Sequence, residues 1–476
     1  MQPTVTFYRE SNDETGKISQ FSRMGDLPVF TRQFGRYVHY YSPGFLAVVE
    51  RSNKDSFDRV LLSEEPQGQV SRSLLEHAHA ASNYQHPLSN KEYKPTCLTL
   101  YMGNRCNLAC RYCYSFPALE DHTIETISTY TLHQAAMIVA ENSRTQGKPL
   151  TVVFHGGGEP TLYRKQIDRF LDEVSTIAHT LGLETFYYIA TNGAISTIVA
   201  DWLSRRFDLV GLSCDGPADI QDRQRPTNKG QATSFQVERT ARILSASGLP
   251  FHVRVTITPE IITRQCEIIK YICEVLNPIE IHLEPVYAGG RTGKLDVISH
   301  QQASLFVSNF LSARNVARQY GVPVQFSDLR PWELHGRYCQ TEREVLQLIP
   351  GAGISTCFKA NNVVQAEQMG FLIGKFNNGE LHMCEQPGLD RLRHKLNELP
   401  HGCLDCFANS HCTFGCPDIC PINNDNEPRD SFRCVVNQLI LLDGLKTLSD
   451  AMIQNTVPVI RENQAIGSIL LKDIFL

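Results

Sequence analysis

The chain has 476 residues, of which 42% are hydrophobic and 20% charged, and its formal net charge is −5. This composition is typical of a globular protein of two or three domains, and without a basic surplus we expect no nucleic-acid partner. No apolar run reaches the roughly 18 residues of a membrane-spanning helix, and the N-terminus does not resemble a signal peptide, so we expect a cytoplasmic protein without membrane contact.

Cysteine is the unusual part of the composition. The chain contains 16 cysteines; three fall within Cys106–Cys113 and nine between Cys339 and Cys434. Disulfide frameworks are typical of small secreted domains, which this chain does not resemble. The cysteines therefore predict bound metal.

Residues 1–93 predict a small α+β module. Short β-like runs occur at Tyr37–Tyr41, Phe45–Val49 and Val60–Leu62, separated by turn residues, and a helix-like stretch follows at Val70–Ala81. The module contains no metal-ligand spacing. Leader-peptide recognition by strand addition and a simple cap on the next domain are both compatible with this pattern.

Residues 94–300 alternate between apolar runs of strand length and segments of helix length. The predicted strands are Leu98–Met102, Leu150–Phe154, Phe186–Ala190, Leu209–Ser213, Phe251–Ile257 and Ile279–Leu283. The predicted helices are Thr131–Asn142, Lys165–Thr180, Ile195–Arg205, Ser234–Ala246 and Ile261–Leu276. Repeated strand–helix units predict an α/β fold with a parallel sheet, either open or closed into a barrel.

Polar or glycine-rich segments follow five of these strands. They are Cys106–Cys113, His155–Pro160, Thr191–Gly193, Ser213–Pro217 and Glu284–Pro285. Because the carboxyl ends of parallel strands meet at one rim, where the chemistry of such folds takes place, we expect an active site there.

The rest of the chain divides into three parts. Residues 301–356 predict a helical connection, residues 357–436 are loop-rich and cysteine-dense, and residues 437–476 predict a C-terminal helical tail. The tail begins with leucines at helical spacing, which favours packing against the barrel.

The first cysteine group has the spacing Cys106-x3-Cys110-x2-Cys113. Three thiolates can hold a four-iron cluster and leave one iron open. An open iron can bind S-adenosylmethionine (SAM) and pass it an electron, which yields a 5′-deoxyadenosyl radical that abstracts hydrogen. A structural zinc site is the alternative, but three ligands do not close a tetrahedral site.

This group, with Tyr112 before the last cysteine, resembles the signature of the radical SAM superfamily. The resemblance implies a partial (β/α)6 barrel, and Gly157-Gly158-Glu159-Pro160 matches the family motif that holds the amino group of SAM. It assigns cofactor contacts to Tyr112, Gly157, Gly158, Glu159, Thr191, Asn192, Ser213, Asp215 and Arg254. Ordinary polar residues at strand ends are the alternative for the last five, and Asp222 and Arg225 could form a surface ion pair.

The second cysteine group resembles the SPASM extension of peptide-modifying radical SAM enzymes, which holds two auxiliary four-iron clusters. The resemblance assigns the outer cluster to Cys403, Cys406, Cys412 and Cys434. It assigns the inner cluster to Cys357, Cys384 and Cys416, with Cys339 favoured as the fourth ligand. Cys420 or an open iron are the alternatives there, and a zinc-stabilised knuckle is the alternative for the whole group.

The resemblance also bears on function. It implies a maturase that uses SAM and three [4Fe-4S] clusters on a ribosomally made peptide or a protein, with a flavodoxin or ferredoxin as electron donor. The long N-terminal module favours formation of an intramolecular thioether or carbon–carbon crosslink. A formylglycine-forming sulfatase maturase is the first alternative, and a non-catalytic iron–sulfur or zinc protein is the second. Glu385, beside Cys384, is a candidate catalytic base by the same resemblance, although the related sulfatase maturases have aspartate there; a solvated loop residue is the alternative.

Overall fold

A computed structural model of the protein describes most of the chain. The described residues are 22–24, 26–63, 67–82, 93–115, 126–286, 291, 297–336, 338, 344–355, 357–378, 380–383, 403, 405–416, 432–454, 460–462 and 465–470. Four residues with predicted roles lie outside them: Cys339, Cys384, Glu385 and Cys420.

The N-terminal module is an antiparallel sheet with two helices. Its strands are Ser22–Arg23 (β1), Phe30–Phe34 (β2), Tyr37–Ser42 (β3) and Phe45–Glu50 (β4), and its helices are Lys54–Leu61 (α1) and Gln69–Ser82 (α2). The prediction of a strand at Val60–Leu62 is wrong. Phe57 and Leu61, one helical turn apart, are both buried, so this segment contributes one face of a helix to the core.

The central domain is built on a sheet of eleven strands, of which six form the predicted parallel barrel. These are Cys97–Leu100 (β5), Leu150–Phe154 (β6), Thr185–Thr191 (β7), Leu209–Ser213 (β8), Phe251–Ile257 (β9) and Glu280–Pro285 (β10). The strands lie side by side in chain order. The predicted fold class is therefore confirmed.

Helices connect the strands and cover the outside of the barrel. They are Thr129–Gln146 (α3), Arg164–Leu181 (α4), Thr197–Arg206 (α5), Ala218–Gln224 (α6), Ser234–Ser247 (α7) and Gln265–Tyr271 (α8), which a π turn, Ile272–Leu276, extends. In β9 the apolar Val253 and Val255 are fully buried, whereas His252 and Arg254 alternate with them on the other face. The apolar face of each strand packs on helices, and the polar face turns to the barrel interior.

Segment 301–356 is only partly helical, in contrast to its prediction. After the helix Ala303–Arg318 (α9), Val324–Gln325 (β11) pairs with β10 and Val345–Ile349 (β12) pairs with β5, both in parallel. Three antiparallel strands extend the sheet beyond β12: Gly353–Ser355 (β13), Leu372–Asn377 (β14) and Glu380–Met383 (β15). A short helix, Val363–Gln368 (α10), lies between β13 and β14.

The C-terminal tail is helical as predicted only in its first part. The helix Phe432–Ile453 (α11) is followed by strands Ile460–Glu462 (β16) and Ala465–Leu470 (β17). β17 pairs antiparallel with β4, so the N-terminal sheet has the order β1-β2-β3-β4-β17-β16. The two ends of the chain thus build one sheet.

This sheet has a separate core on each face. Val38, Tyr40 and Leu74 pack in a small cluster with α1 and α2, whereas Tyr41 and Leu46 belong to the large core that includes the barrel and α11. No helix of the described residues is long and apolar enough to span a membrane.

Candidate functional site

The cysteine loop, residues 106–113, lies at the carboxyl rim of the barrel and is held by a neighbouring backbone segment. Ala109 N–H donates to the Pro226 carbonyl at 2.8 Å, and Asn228 N–H donates to the Asn107 carbonyl at 3.1 Å. These two hydrogen bonds hold the cysteine loop against segment 226–228.

The thiols of this loop are partly buried and close enough to influence one another. Burial raises the pKa of Cys106 to about 12 and that of Cys110 to about 11, and Cys110 and Cys113 add to the shift at Cys106. The pKa of Cys113 is also raised by burial. Because mutual repulsion and burial both oppose thiolate formation, a positively charged group is needed to hold all three as thiolates. A four-iron cluster suits this donor set.

A glycine-rich loop is clamped onto residues 103–105, which lead directly into the cysteine loop. Gly158 N–H donates to the Gly103 carbonyl at 3.0 Å, and Glu159 N–H donates to the Arg105 carbonyl at 2.8 Å. A Cβ on Gly158 would lie 2.1 Å from the Arg105 carbonyl oxygen, and one on Gly157 would lie 2.6 Å from the Gly103 carbonyl oxygen. Only glycine permits this approach between the two loops.

Glu159 connects this loop to the end of β7. Its carboxylate is buried and accepts hydrogen bonds from the hydroxyl of Thr161 (2.7 Å), the hydroxyl of Thr191 (2.8 Å) and the backbone N–H of Asn192 (2.7 Å). The side-chain Nδ2 of Asn192 in turn points to Cys106 Sγ, 3.9 Å away. Three segments with predicted cofactor contacts thus meet at one place.

Asp215 and Tyr112 belong to the same network. The fully buried Asp215 carboxylate accepts from the Tyr112 hydroxyl, from Arg225 Nε at 3.0 Å and from the Thr256 N–H at 3.0 Å. Arg225 therefore pairs with Asp215 rather than Asp222. Both oxygens of Asp215 have protein donors, so in this structure the residue anchors the cysteine loop.

Ser213 and Arg254 face each other across strands β8 and β9, in register. The guanidinium of Arg254 donates to Ser327 Oγ at 3.3 Å and lies 3.9 Å from the Glu284 carboxylate. Its side chain remains 40% exposed, so it can still reach a ligand in the barrel interior.

The sequence analysis missed a group of aromatic and imidazole side chains inside the barrel. The Tyr188 hydroxyl lies 3.3 Å from His252 Nε2, and the rings of His252 and His282 are 5.1 Å apart. Burial lowers the pKa of His252 to about 3, with His282 and Arg254 contributing. The sequence does contain a signal for this group, because polar residues occupy every second position of β9 and β10. The overall apolar character of the two strands obscured that alternation.

The structure describes all four cysteines that the resemblance assigns to the outer auxiliary cluster. Burial raises the pKa values of the Cys406 and Cys412 thiols. The nearby thiols of Cys434 and Cys403 raise both values further. Asn437 Nδ2 donates to Cys412 Sγ at 3.2 Å, an additional contact from α11.

For the inner auxiliary group the structure describes two of the predicted ligands, Cys357 and Cys416. Burial raises the pKa of Tyr114, which follows the cysteine loop, and Cys357 adds to this shift. Burial likewise raises the pKa of Tyr338, and Cys416 adds to that shift. Both tyrosines are also within electrostatic range of Arg254. The other candidates, Cys339, Cys384 and Cys420, lie outside the described residues.

The N-terminal module covers the outer auxiliary cysteines. The Tyr41 ring packs against Phe407 at 6.3 Å and against His411 at 6.4 Å, both within the cysteine-rich segment.

Among the described residues, no three Cys, His, Asp or Glu side chains are placed to hold a single metal ion.

Comparison with known proteins identifies the central domain. Residues 100–271 match the model of the radical SAM superfamily. The chain contains a radical SAM domain. Members of this superfamily are enzymes that use SAM with a [4Fe-4S] cluster, which agrees with the neighbouring cysteine and glycine loops of this chain.

Curated relatives of the radical SAM domain include anaerobic sulfatase-maturating enzymes. The chain is 27% identical over 156 residues to the cysteine-type anaerobic sulfatase-maturating enzyme of Clostridium novyi (strain NT), which is 32% of this chain and 40% of that protein. It is 23% identical over 379 residues to the serine-type enzyme of Klebsiella pneumoniae, 71% of this chain and 86% of that protein. The chain thus spans less than half of the clostridial relative.

The solved structure of native anSMEcpe with bound AdoMet is similar in fold. It is 18% identical, has a TM-score of 0.59, and the match covers 75% of this chain and 100% of that one. The fold similarity therefore extends beyond the radical SAM domain matched by sequence.

Proposed function

We propose that this protein is a radical SAM maturase that abstracts a hydrogen atom from a side chain of a peptide or protein. The observation that carries the proposal is the contact between the glycine loop and the residues that lead into the cysteine loop, through Gly158 to Gly103 and Glu159 to Arg105. Such a contact would place a SAM-binding loop beside iron ligands, whereas a structural metal site would not need this loop. The names of the curated relatives support a peptide or protein substrate.

We propose that Cys106, Cys110 and Cys113 hold the SAM-binding cluster. When bound, SAM and this cluster would supply a 5′-deoxyadenosyl radical. Glu159 orients the segment from Thr191 to Asn192 beside Cys106, and Asp215 fixes the cysteine loop through Tyr112. Arg254 is available to orient an anionic group in the barrel interior.

Two further clusters complete the proposal. Cys403, Cys406, Cys412 and Cys434 would hold the outer one, and Cys357 and Cys416 would contribute to the inner one with Cys384 and Cys339. Support for the inner cluster comes from Cys357 and Cys416, which lie within electrostatic range of Tyr114 and Tyr338 respectively. This position suits removal of the second electron from a substrate after hydrogen abstraction, with Glu385 proposed as the group that takes the proton.

For the reaction itself we propose an intramolecular crosslink, thioether or carbon–carbon, in a ribosomally made peptide. Recognition of its leader by the N-terminal module is part of the proposal. Since β4 is already paired with β17, a leader strand would add at the outer edge of β1 or β16, or displace the C-terminal hairpin.

Formylglycine formation is the second candidate, because the curated relatives are sulfatase-maturating enzymes. Incubation with SAM, dithionite and a synthetic peptide from a sulfatase active-site segment distinguishes the two. An aldehyde that reacts with hydrazide, detected by mass spectrometry, supports formylglycine. Loss of two hydrogen atoms without an aldehyde, from a peptide encoded beside the gene, supports the crosslink. If SAM stays intact in both mixtures, the maturase proposal fails.

A further inference from the structure

A cavity of about 360 Å³ lies beside β11, the strand at one end of the eleven-stranded sheet. This volume is at the lower end of the range of about 300–1,000 Å³ that is typical of small-molecule sites. None of the residues with a predicted role in SAM or cluster binding lines it. We call it the edge cavity, and its main lining residues are Phe310, Arg314, Arg318, Val324, Trp332 and Ile440.

The inner wall of the edge cavity is apolar and is built by three elements. Phe310 of α9, Val324 of β11 and Ile440 of α11 line it, and all three side chains are buried. The Phe310 ring makes an edge-on contact with Phe326, which also lines the cavity, at a centroid distance of 6.2 Å. A packed wall of this kind favours a ligand with an apolar body.

Two arginines of α9 line the same cavity. Arg314 and Arg318 are one helical turn apart and therefore lie on the same face of the helix. Burial lowers the pKa of Arg314, and the positive charge of Arg318 lowers it further. The structure describes every residue that lines the cavity, and none of them is acidic. A bound anion would therefore relieve the repulsion between the two guanidinium groups.

The charge of the cavity favours a monoanion. Arg314 Nη2 donates to Asp443 Oδ2 of α11 at 2.8 Å, whereas its Nε is buried without a hydrogen-bond partner among the described residues. Arg318 is exposed, and its Nη1 donates to the neutral Asn315 at 2.9 Å. One of the two positive charges is thus compensated and one remains. A carboxylate carries one negative charge and matches the planar guanidinium donors.

We infer that the edge cavity binds an amphipathic monocarboxylate, which is a carboxylate carried on an aromatic or branched aliphatic body. The carboxylate would lie beside Arg318 and Arg314, and the body would pack on the apolar wall. The half-buried Trp332 offers a flat apolar ring with one N–H donor for the same ligand. A free acid and the C-terminal residue of a peptide share this chemistry.

The test measures the binding of 3-phenylpropionate to the reconstituted holoenzyme by saturation-transfer NMR. For a ligand of about eleven non-hydrogen atoms we expect a dissociation constant of about 1 mM. The matched ligands are 3-phenylpropionamide, which has no charge, and phenyl phosphate, which is mainly a dianion at neutral pH. The amide should bind at least tenfold more weakly. Equal binding of the amide, or tighter binding of the phosphate, overturns the inference.

Arg318→Gln removes the uncompensated charge and leaves the pair of Arg314 with Asp443 in place. We expect it to raise the dissociation constant of 3-phenylpropionate about fivefold or more, because a charge-assisted hydrogen bond is lost. The matched control is Arg242→Gln, which neutralises a 60% exposed arginine of α7 outside the cavity and should change binding less than about twofold. Equal dissociation constants for the wild type and both variants overturn the inference.

The two tryptophans of the chain report where the ligand binds. Trp332 lines the edge cavity, whereas Trp202 of α5 donates to Asp168 at 2.7 Å and does not line it. In holoenzyme labelled with 5-fluorotryptophan, the ligand should shift the fluorine signal of Trp332 and leave that of Trp202, which Trp202→Phe assigns. Binding that shifts neither signal, or only that of Trp202, places the ligand elsewhere and overturns the inference.

A tetrapeptide that ends in phenylalanine distinguishes the two sources of the carboxylate. Tight binding of its free-acid form but not of its C-terminal amide assigns the cavity to a peptide C-terminus. Binding of 3-phenylpropionate alone assigns it to a free acid.

The edge cavity shares no lining residue with the proposed SAM site, so the two proposals fail separately. Arg318→Gln should form deoxyadenosine with dithionite at the wild-type rate. If the wild type forms none, the proposed function fails and carboxylate binding stands. If SAM is cleaved but 3-phenylpropionate does not bind at concentrations up to about 20 mM, only the inference about the cavity fails.

Discussion

Tyr112, inside the cysteine loop, donates a hydrogen bond to Asp215, which follows the fourth barrel strand. The same carboxylate pairs with Arg225 and accepts from the Thr256 N–H at the end of β9. One buried anion therefore fixes the cysteine loop to two strands and to the segment that supports it.

The Asp215→Asn substitution is expected to be strongly destabilising. It leaves the guanidinium of Arg225, only 9% exposed, without its counter-ion, which costs about 3–5 kcal/mol. Tyr112→Phe removes one hydrogen bond to the same carboxylate and should cost about 1.5–3 kcal/mol. The changes are measured as urea-unfolding free energies of the iron-free proteins. Asp201→Asn, in an exposed pair with Arg205, is the control, with an expected cost below about 1 kcal/mol. Equal costs for Asp215→Asn and Asp201→Asn would contradict this assignment.

The Gly158→Ala substitution should separate the glycine loop from the cysteine loop. Its Cβ would lie 2.1 Å from a backbone oxygen, which cannot move without displacing Arg105 and Cys106. We expect at least a tenfold loss of SAM cleavage, measured as deoxyadenosine in the presence of dithionite.

Gly182→Ala is the matched control for this substitution. Gly182 ends a helix at a φ of +65° and has open space around it. Its substitution should cost about 1 kcal/mol of backbone strain and leave SAM cleavage intact. Similar activities of the two variants would show that the close approach of the loops is dispensable.

The barrel was predictable because its signals are local. An apolar run such as Phe251–Ile257 bounded by turn residues identifies a strand, and the cysteine and glycine motifs follow strands in the expected places. Contacts between distant parts of the chain had no such signal. The pairing of β17 with β4, and the cover that Tyr41 provides over the auxiliary cysteines, join segments separated by hundreds of residues.

The hydrogen bond from Asn437 to Cys412 is expected to tune the reduction potential of the proposed outer auxiliary cluster. N–H donors to ligand sulfurs stabilise the reduced, more negative state of a cluster. Asn437→Leu should therefore make its reduction potential more negative, as measured by a redox titration followed by electron paramagnetic resonance. Gln438→Leu, which removes a weaker contact of 3.7 Å to Cys406 Sγ, should shift the potential less. An unchanged potential in Asn437→Leu would show that this contact does not reach a cluster.

His39 should make the stability of the protein sensitive to acid. It is fully buried, its Nε2 is 2.8 Å from Ser449 Oγ on α11, and burial lowers its pKa to about 3, with Arg32 and Lys446 adding to the effect. The unfolded chain takes up this proton below about pH 6.5, whereas the folded chain does not. Stability is therefore lost as the pH falls from about 6.5 toward 3.

The contribution of His39 between pH 7 and pH 5 should be about 2 kcal/mol. His39→Gln can keep a hydrogen bond to Ser449 but cannot titrate, so its urea-unfolding free energy should fall less over this interval. The comparison with wild type isolates His39 from other buried histidines such as His155 and His411, whose pKa values burial also lowers. Parallel pH profiles for the two proteins would contradict the prediction.

The most direct test of the account is SAM cleavage by the anaerobically reconstituted protein, with iron and sulfide measured on the same sample. Three four-iron clusters would give about twelve irons per chain. The account predicts deoxyadenosine from the wild type with dithionite, and none from the Cys106→Ala/Cys110→Ala/Cys113→Ala variant, which should keep the auxiliary iron. A protein that binds zinc instead of iron and leaves SAM intact would contradict it.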